Sequence, residues 1–175
     1  LVEIDAYSKV IVGYHKPEGI WKKNEMTFNE INWIDDSKAT NPHAASASIM
    51  SALSVIWVAG GLAKGAEMGE LIERVKARVR VAILIGEDRA LIADALRERA
   101  PHIQVELIDS PAGYSKGGGD NSLMETVIRT AKAKAVSGDT VLLAPACASM
   151  DQFLSYSDRG DRFKSAVEKV VRDGN

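Results

Sequence analysis

Five short runs rich in Val, Ile and Leu, at 31–34, 54–59, 81–85, 103–108 and 140–144, constrain this chain most. They are too short for ordinary helices. Most do not alternate apolar with polar residues, which is the pattern of strands covered on both faces. Between them the period changes. Met68, Leu71, Ile72 and Val75 follow helical spacing, as do Leu91, Ile92, Ala95 and Leu96, and then Met124, Val127, Ile128 and Ala131. Phe163, Val167, Val170 and Val171 mark the inner face of a last helix that stops at Asp173-Gly174. Pro42 suits the first position of a further helix, capped by Asn41 or Thr40. Strand–helix alternation of this kind predicts a single α/β domain in three layers, a mostly parallel sheet with helices on both faces.

The first thirty residues lack this regularity. Val10-Ile11-Val12 reads as a short strand, Lys16-Pro17-Glu18-Gly19 as a turn and Lys22-Lys23-Asn24-Glu25 as a solvated run. Residues 1–30 are therefore expected to be an edge or connecting segment, with the domain proper at 31–175. A start at Leu1 rather than methionine suggests an excised piece of a longer protein.

In an open α/β sheet ligands bind beyond the carboxyl ends of the strands, so the turns there hold the chemistry. After 31–34 comes Asp35-Asp36-Ser37-Lys38-Ala39-Thr40-Asn41-Pro42. After 54–59 comes Gly60-Gly61-Leu62-Ala63-Lys64-Gly65. After 140–144 comes Pro145-Ala146-Cys147-Ala148-Ser149-Met150-Asp151-Gln152-Phe153, with Ser149 and Gln152 in capping-box spacing. A helix start offers free N–H groups and a positive dipole end to an anion, and lysine adds a mobile point charge. In a parallel sheet all three turns share one edge. Lys38, Thr40, Lys64 and Ser149 are then expected to converge on one acidic ligand.

Other chemistries fit poorly. A net charge of −2 leaves no basic footprint for nucleic acid. No apolar run reaches membrane-spanning length, and no charged-then-apolar leader is present. A single cysteine, Cys147, excludes an internal disulfide framework and suits a reducing cytoplasm. Neither G-x-x-x-x-G-K-[ST] nor G-x-G-x-x-G occurs, which argues against a phosphate loop or a dinucleotide site within this sequence. His15, His43 and His102 have no metal-ligand spacing, so no metal site is expected. His43 reads as structural or solvated. Cys147 reads as a small residue filling a tight turn, since no histidine stands ready to activate it. Arg159-Gly160-Asp161 with Asp158 reads as the acidic start of the last helix. Gly113–Asp120 is expected to be a flexible loop.

The three turn sequences together with Asp158-Arg159-Gly160 resemble the C-terminal domain of the ATP-dependent Mur ligases of peptidoglycan synthesis, over roughly residues 31–175. Within that family they are most similar to the branch that joins D-glutamate to UDP-N-acetylmuramoyl-L-alanine. The resemblance implies a Rossmann-like fold and, in the full enzyme, an N-terminal domain for the uridine nucleotide and a central one carrying the ATP phosphate loop. ATP and Mg2+ would be held mainly by that central domain, which this sequence lacks, so the chain alone should have no turnover. The implied reaction forms an acyl phosphate on the L-alanyl carboxylate, which the amine of D-glutamate then attacks.

By the same resemblance Lys38 is catalytic and faces the transferring phosphoryl group, and Asp36 and Lys38 meet the nucleotide. Thr40, Lys64, Ser149 and Tyr156 bind the D-glutamate carboxylates, Tyr156 standing where the family commonly has phenylalanine. The family's His-Arg pair shortly before the Asp-Ser-Lys motif has no counterpart here. His15-Lys16 lies too far upstream, and Gly19-Ile20 has the wrong chemistry. Two alternatives stay open on the residues alone: a stand-alone, non-catalytic module for acidic ligands, or another amide ligase of the Mur or folylpolyglutamate type.

Overall fold

All five apolar runs enter one six-stranded sheet. The computed structural model describes residues 3–4, 11–12 and 18–174. Val10, His15, Lys16 and Pro17 of the sequence readings lie outside them. Strands β1 (Glu3–Ile4) and β2 (Ile11–Val12) pair antiparallel as a separate ribbon. The main sheet runs β3 (Glu25–Phe28), β4 (Ile31–Asp35), β8 (Thr140–Leu143), β5 (Val55–Gly60), β6 (Val79–Ile85) and β7 (Gln104–Leu107) in spatial order. All neighbouring pairs from β4 to β7 are parallel.

β3 is the exception. It pairs antiparallel with β4 through a two-residue connection, Asn29-Glu30, both at positive φ, with Phe28 opposite Ile31. Two positive φ values make the primed turn that matches strand twist. The sheet therefore begins before Ile31, inside the segment expected to be an edge element. Lys22–Glu25 is exposed, as a solvated run should be, and is closed into a turn by reciprocal backbone bonds.

Successive β5 residues serve opposite cores. Val55, Trp57 and Ala59 pack into one with Ile49, Ile72 and Leu96, while Ile56 and Val58 pack into the other with Val127, Ile128 and Phe163. This two-sided burial is why the run is apolar throughout. Each such side chain contributes about 1.5–3 kcal/mol through removal from water. The first core is covered by α1 (Pro42–Met50), α2 (Gly69–Val75) and α3 (Arg89–Arg99). The second is covered by α4 (Ser122–Lys134) and α5 (Tyr156–Val167), the latter ending in a π-helical turn, Glu168–Arg172. That turn keeps both Val170 and Val171 in the core. Leu91 is the misfit among the helical positions, 48% exposed on α3.

Pro42 opens α1, and Asn41 caps it by accepting from the Ala44 N–H at 2.9 Å. Because β5 leads to α2 on one face and β8 leads toward α5 on the other, the chain parts between the carboxyl ends of β5 and β8. An open α/β sheet places its ligand crevice at such a point.

Candidate functional site

The turns after β4, β5 and β8 are laced together by backbone bonds. The Asp36 N–H donates to the Leu143 carbonyl at 2.9 Å, and the Ala146 N–H to the Ala39 carbonyl at 2.9 Å. Leu62 and Ala148 exchange two bonds, each 2.9 Å, and the Gly60 N–H donates to the Pro145 carbonyl at 2.9 Å. This approach requires glycine. A Cβ on Gly60 would stand 1.8 Å from the Ile85 carbonyl oxygen, and one on Gly61 would stand 2.1 Å from that of Ala148.

Within the first turn the two acids differ. Asp35 is nearly buried and fully used: Oδ1 accepts from the Ser37 N–H at 3.0 Å, and Oδ2 lies 3.4 Å from Lys164 Nζ. Asp36 stands at the rim of a cleft of about 210 Å³ with Lys38, Tyr156, Ser157, Asp161 and Lys164. Lys38 and Lys64 are exposed, and among the described residues neither ammonium has a hydrogen bond or ion pair. Both are free to meet an anion.

The structure thus sorts the six residues named from sequence. Asp36, Lys38 and Tyr156 share the cleft. Thr40, Lys64 and Ser149 stand on the three laced turns but outside that lining. Tyr156 is the first residue of α5, 46% exposed, and its carbonyl accepts from Ser37 Oγ at 2.7 Å.

The Ser149–Gln152 capping box does not form, because no helix begins there. The Ser149 carbonyl accepts from the Gln152 and Phe153 N–H groups, and Gln152 is buried, with Nε2 donating to Ser110 Oγ at 2.8 Å. The working cap is one turn later. Ser155 Oγ accepts from the Asp158 N–H at 3.0 Å, and Asp158 Oδ2 accepts from the Leu154 N–H at 3.0 Å.

Arg159 is the residue that sequence reasoning missed. It is 1% exposed, and its guanidinium donates to Ser37, Cys147 and Gly60, one residue from each laced turn. Burial pushes its pKa down to about 10, against the opposing pull of Asp151, Cys147 and Asp35. A signal was present: Arg159 stands four residues before Phe163 and eight before Val167, on the inward face of α5. Gly160 beside it admits Asp35, whose Oδ2 would lie 2.6 Å from a Cβ there.

Cys147 is inert. It is 1% exposed, and burial pushes its thiol up to about 12, which leaves essentially no thiolate at neutral pH. The glycine-rich loop is tied down at several points. Tyr114 Oη donates to the Gln152 carbonyl at 2.7 Å, and Arg162 reaches the carbonyls of Lys116 and Asp120. His43 is exposed and faces a separate cleft between α1 and α2. Among the described residues no three His, Cys, Asp or Glu side chains could hold a metal ion, and no helix is long and apolar enough to cross a membrane.

The carboxyl edge of the parallel sheet thus carries a cleft with Lys38 on it and, on the neighbouring turn, Lys64, both ammonium groups unpaired among the described residues. Residues 22–147 match the family model described as Mur ligase, glutamate ligase domain, and the chain belongs to that family. It is 50% identical over 137 residues to the UDP-N-acetylmuramoylalanine--D-glutamate ligase of Streptomyces avermitilis, covering 78% of this chain and 28% of that protein. The ligase of the same name from Leifsonia xyli subsp. xyli is 46% identical over 144 residues, covering 82% and 26%. That of Mycolicibacterium vanbaalenii is 41% identical over 187 residues, covering 96% and 38%. The chain therefore spans between about a quarter and two fifths of the length of these relatives. Among solved structures, the fold is similar to that of MurF ligase from Thermotoga maritima in complex with ADP. That match has TM-score 0.51 and 19% identity, over 87% of this chain and 31% of that one.

Proposed function

We propose that this chain is the amino-acid-binding part of an ATP-dependent ligase that joins D-glutamate to UDP-N-acetylmuramoyl-L-alanine. The observation that carries the reading is the pair of unpaired ammonium groups, Lys38 and Lys64, on turns tied into one edge. D-Glutamate is a dianion at its carboxylates and must be held beside an anionic phosphoryl group, so cations and N–H donors have to surround both. The names of the relatives support the substrate.

In this reading Lys64, Thr40, Ser149 and Tyr156 hold the two carboxylates and leave the amine free. Lys38 and Asp36, on the cleft, meet the nucleotide side, and Lys38 offers its charge to the phosphoryl group in flight. Fixing the amine near the acyl carbon supplies the orientation that a bimolecular reaction lacks. ATP would supply the phosphoryl group that turns the L-alanyl carboxylate into an acyl phosphate, with ADP leaving. One lysine and several hydroxyls suit its anionic oxygens, whereas a magnesium ion would find in this set a single carboxylate, that of Asp36, and would need its other ligands from elsewhere. With no phosphate loop in its sequence, the chain alone is expected to turn over no ATP.

The test is a chemical-shift titration of this chain with D-glutamate, with L-glutamate as the control. Stereoselective, saturable shifts at Thr40, Lys64, Ser149 and Tyr156 are expected. Equal responses to both enantiomers would exclude a built amino-acid site.

A further inference from the structure

A second polar cleft, of about 310 Å³, opens between α1 and α2, and none of the residues assigned to the ligase site lines it. Its floor is Ser46, 3% exposed, whose Oγ is buried with no hydrogen-bond partner among the described residues. A buried hydroxyl left unmet costs about 1–3 kcal/mol. A helical serine ordinarily returns its hydroxyl to a carbonyl one turn back, and Ser46 makes no such bond.

Above it stand three charged residues, Glu67, Glu70 and Arg74, with Asn41 and His43 on the side of α1. Glu70 and Arg74 are one turn apart on α2, the spacing at which opposite charges pair. They form no ion pair, and none of the three has a hydrogen bond or ion pair among the described residues. Leu71 and Pro42 supply an apolar wall.

This set selects by exclusion. A simple anion drawn to Arg74 meets two carboxylates, and a simple amine drawn to the carboxylates meets a guanidinium. A molecule with an ammonium and a carboxylate attached to one carbon meets Arg74, Glu67 and Glu70 together. We propose that the α1–α2 cleft is a second binding site, for a zwitterionic amino acid with a small aliphatic side chain. Arg74 takes the carboxylate, bidentate by its fork, and Ser46 Oγ donates to the same group. Glu67 and Glu70 hold the ammonium, and the side chain lies on Leu71 and Pro42. Because the three charged residues sit at an exposed rim, where ion pairs are weak, the affinity is modest. The inference does not depend on the ligase reading.

The test titrates this chain with L-valine, with isovalerate (valine without its amine) and with isobutylamine (valine without its carboxylate), following amide shifts. L-Valine is expected to give saturable shifts at Ser46 and Arg74 with a midpoint of about 1 mM. The two half-molecules are expected to bind at least about tenfold more weakly, as is valine to Arg74→Met and to Glu70→Gln. Lys64→Glu, which should disable the D-glutamate site, is expected to leave the valine midpoint unchanged. Absence of saturable shifts overturns the proposal. So does isovalerate or isobutylamine binding as tightly as valine, or an unchanged midpoint in both cleft variants.

Discussion

Arg159 Nε donates to Ser37 Oγ at 2.8 Å, and Arg159 Nη2 donates to the Ser37 carbonyl at 3.0 Å, across 122 positions of sequence. The same guanidinium reaches the Cys147 carbonyl twice, at 3.2 Å, and the Gly60 carbonyl at 3.4 Å. One planar fork therefore closes the turns after β4, β5 and β8 onto the start of α5. Ser37 passes the connection on to Tyr156. The side chains offered to a ligand stand on a braced frame, which is what a precise site needs.

Removing that brace should be costly. Arg159→Met leaves the carbonyls of Ser37, Cys147 and Gly60 short of a donor in a buried place, at about 3 kcal/mol in all. For a chain of this size that lowers the melting temperature by roughly 6–12 °C. Arg159→Lys should fall nearly as far, because an ammonium cannot reproduce five donors in a plane. Thermal unfolding followed by circular dichroism decides it, and an unchanged melting temperature in Arg159→Met would remove the bracing role.

Two glycines of one turn should respond differently to alanine. Gly60, at φ +116°, would place its Cβ 1.8 Å from a backbone oxygen of β6, and backbone cannot step aside. Gly60→Ala should cost more than about 4 kcal/mol. Gly65, at φ +79°, has nothing within 4 Å of that position. Gly65→Ala carries only the left-handed penalty, about 1 kcal/mol. Urea midpoints of the two variants compare them directly, and equal shifts would contradict the close approach of the β5 and β6 ends.

The contrast between Arg159 and Lys38 shows what sequence could reveal. Lys38 was legible because strand, turn and helix signals stood next to one another along the chain. The five parallel strands were legible because burial on both faces writes itself into local composition. Arg159 was not, because its partners lie far away in sequence and a charge in an acidic helix start looks solvated. β3 was hidden for a related reason: its hairpin turns through Glu30 at φ +59°, a conformation that residue rarely takes. Ser149 and Gln152 had the spacing of a cap but not the helix, because Gln152 is committed to Ser110.

At the opposite edge of the sheet Asp139 plays a role like that of Arg159. It is 1% exposed, and burial alone would raise its pKa. Arg80, the Ser54 hydroxyl and the Val136 N–H outweigh burial, and the net shift is downward from 3.8. A depressed carboxylate stabilises the fold at pH well above its unfolded value, and that contribution is lost as pH falls below 3.8 toward the folded value. Asp139→Asn should therefore lower the urea midpoint at neutral pH, yet lose less than the parent on moving to about pH 3. Parallel losses in the two proteins would show that another acid governs the decline.

Lys64 carries the sharpest test of the proposed function. It sits at φ +50° between Gly60-Gly61 and Gly65, with its ammonium unpaired among the described residues, so its backbone is held while its charge stays available. Lys64→Glu sets a carboxylate against the carboxylates of D-glutamate. At a partly screened site, exchanging one attraction for one repulsion is worth a few kcal/mol, enough to raise the KM for D-glutamate about a hundredfold in the full-length enzyme. The KM for ATP should hardly move. If Lys64 binds ground and transition states alike, kcat at saturating D-glutamate should also be retained. A near-normal KM would remove Lys64 from the site. A fall in kcat at unchanged KM would instead assign it to the reacting centre.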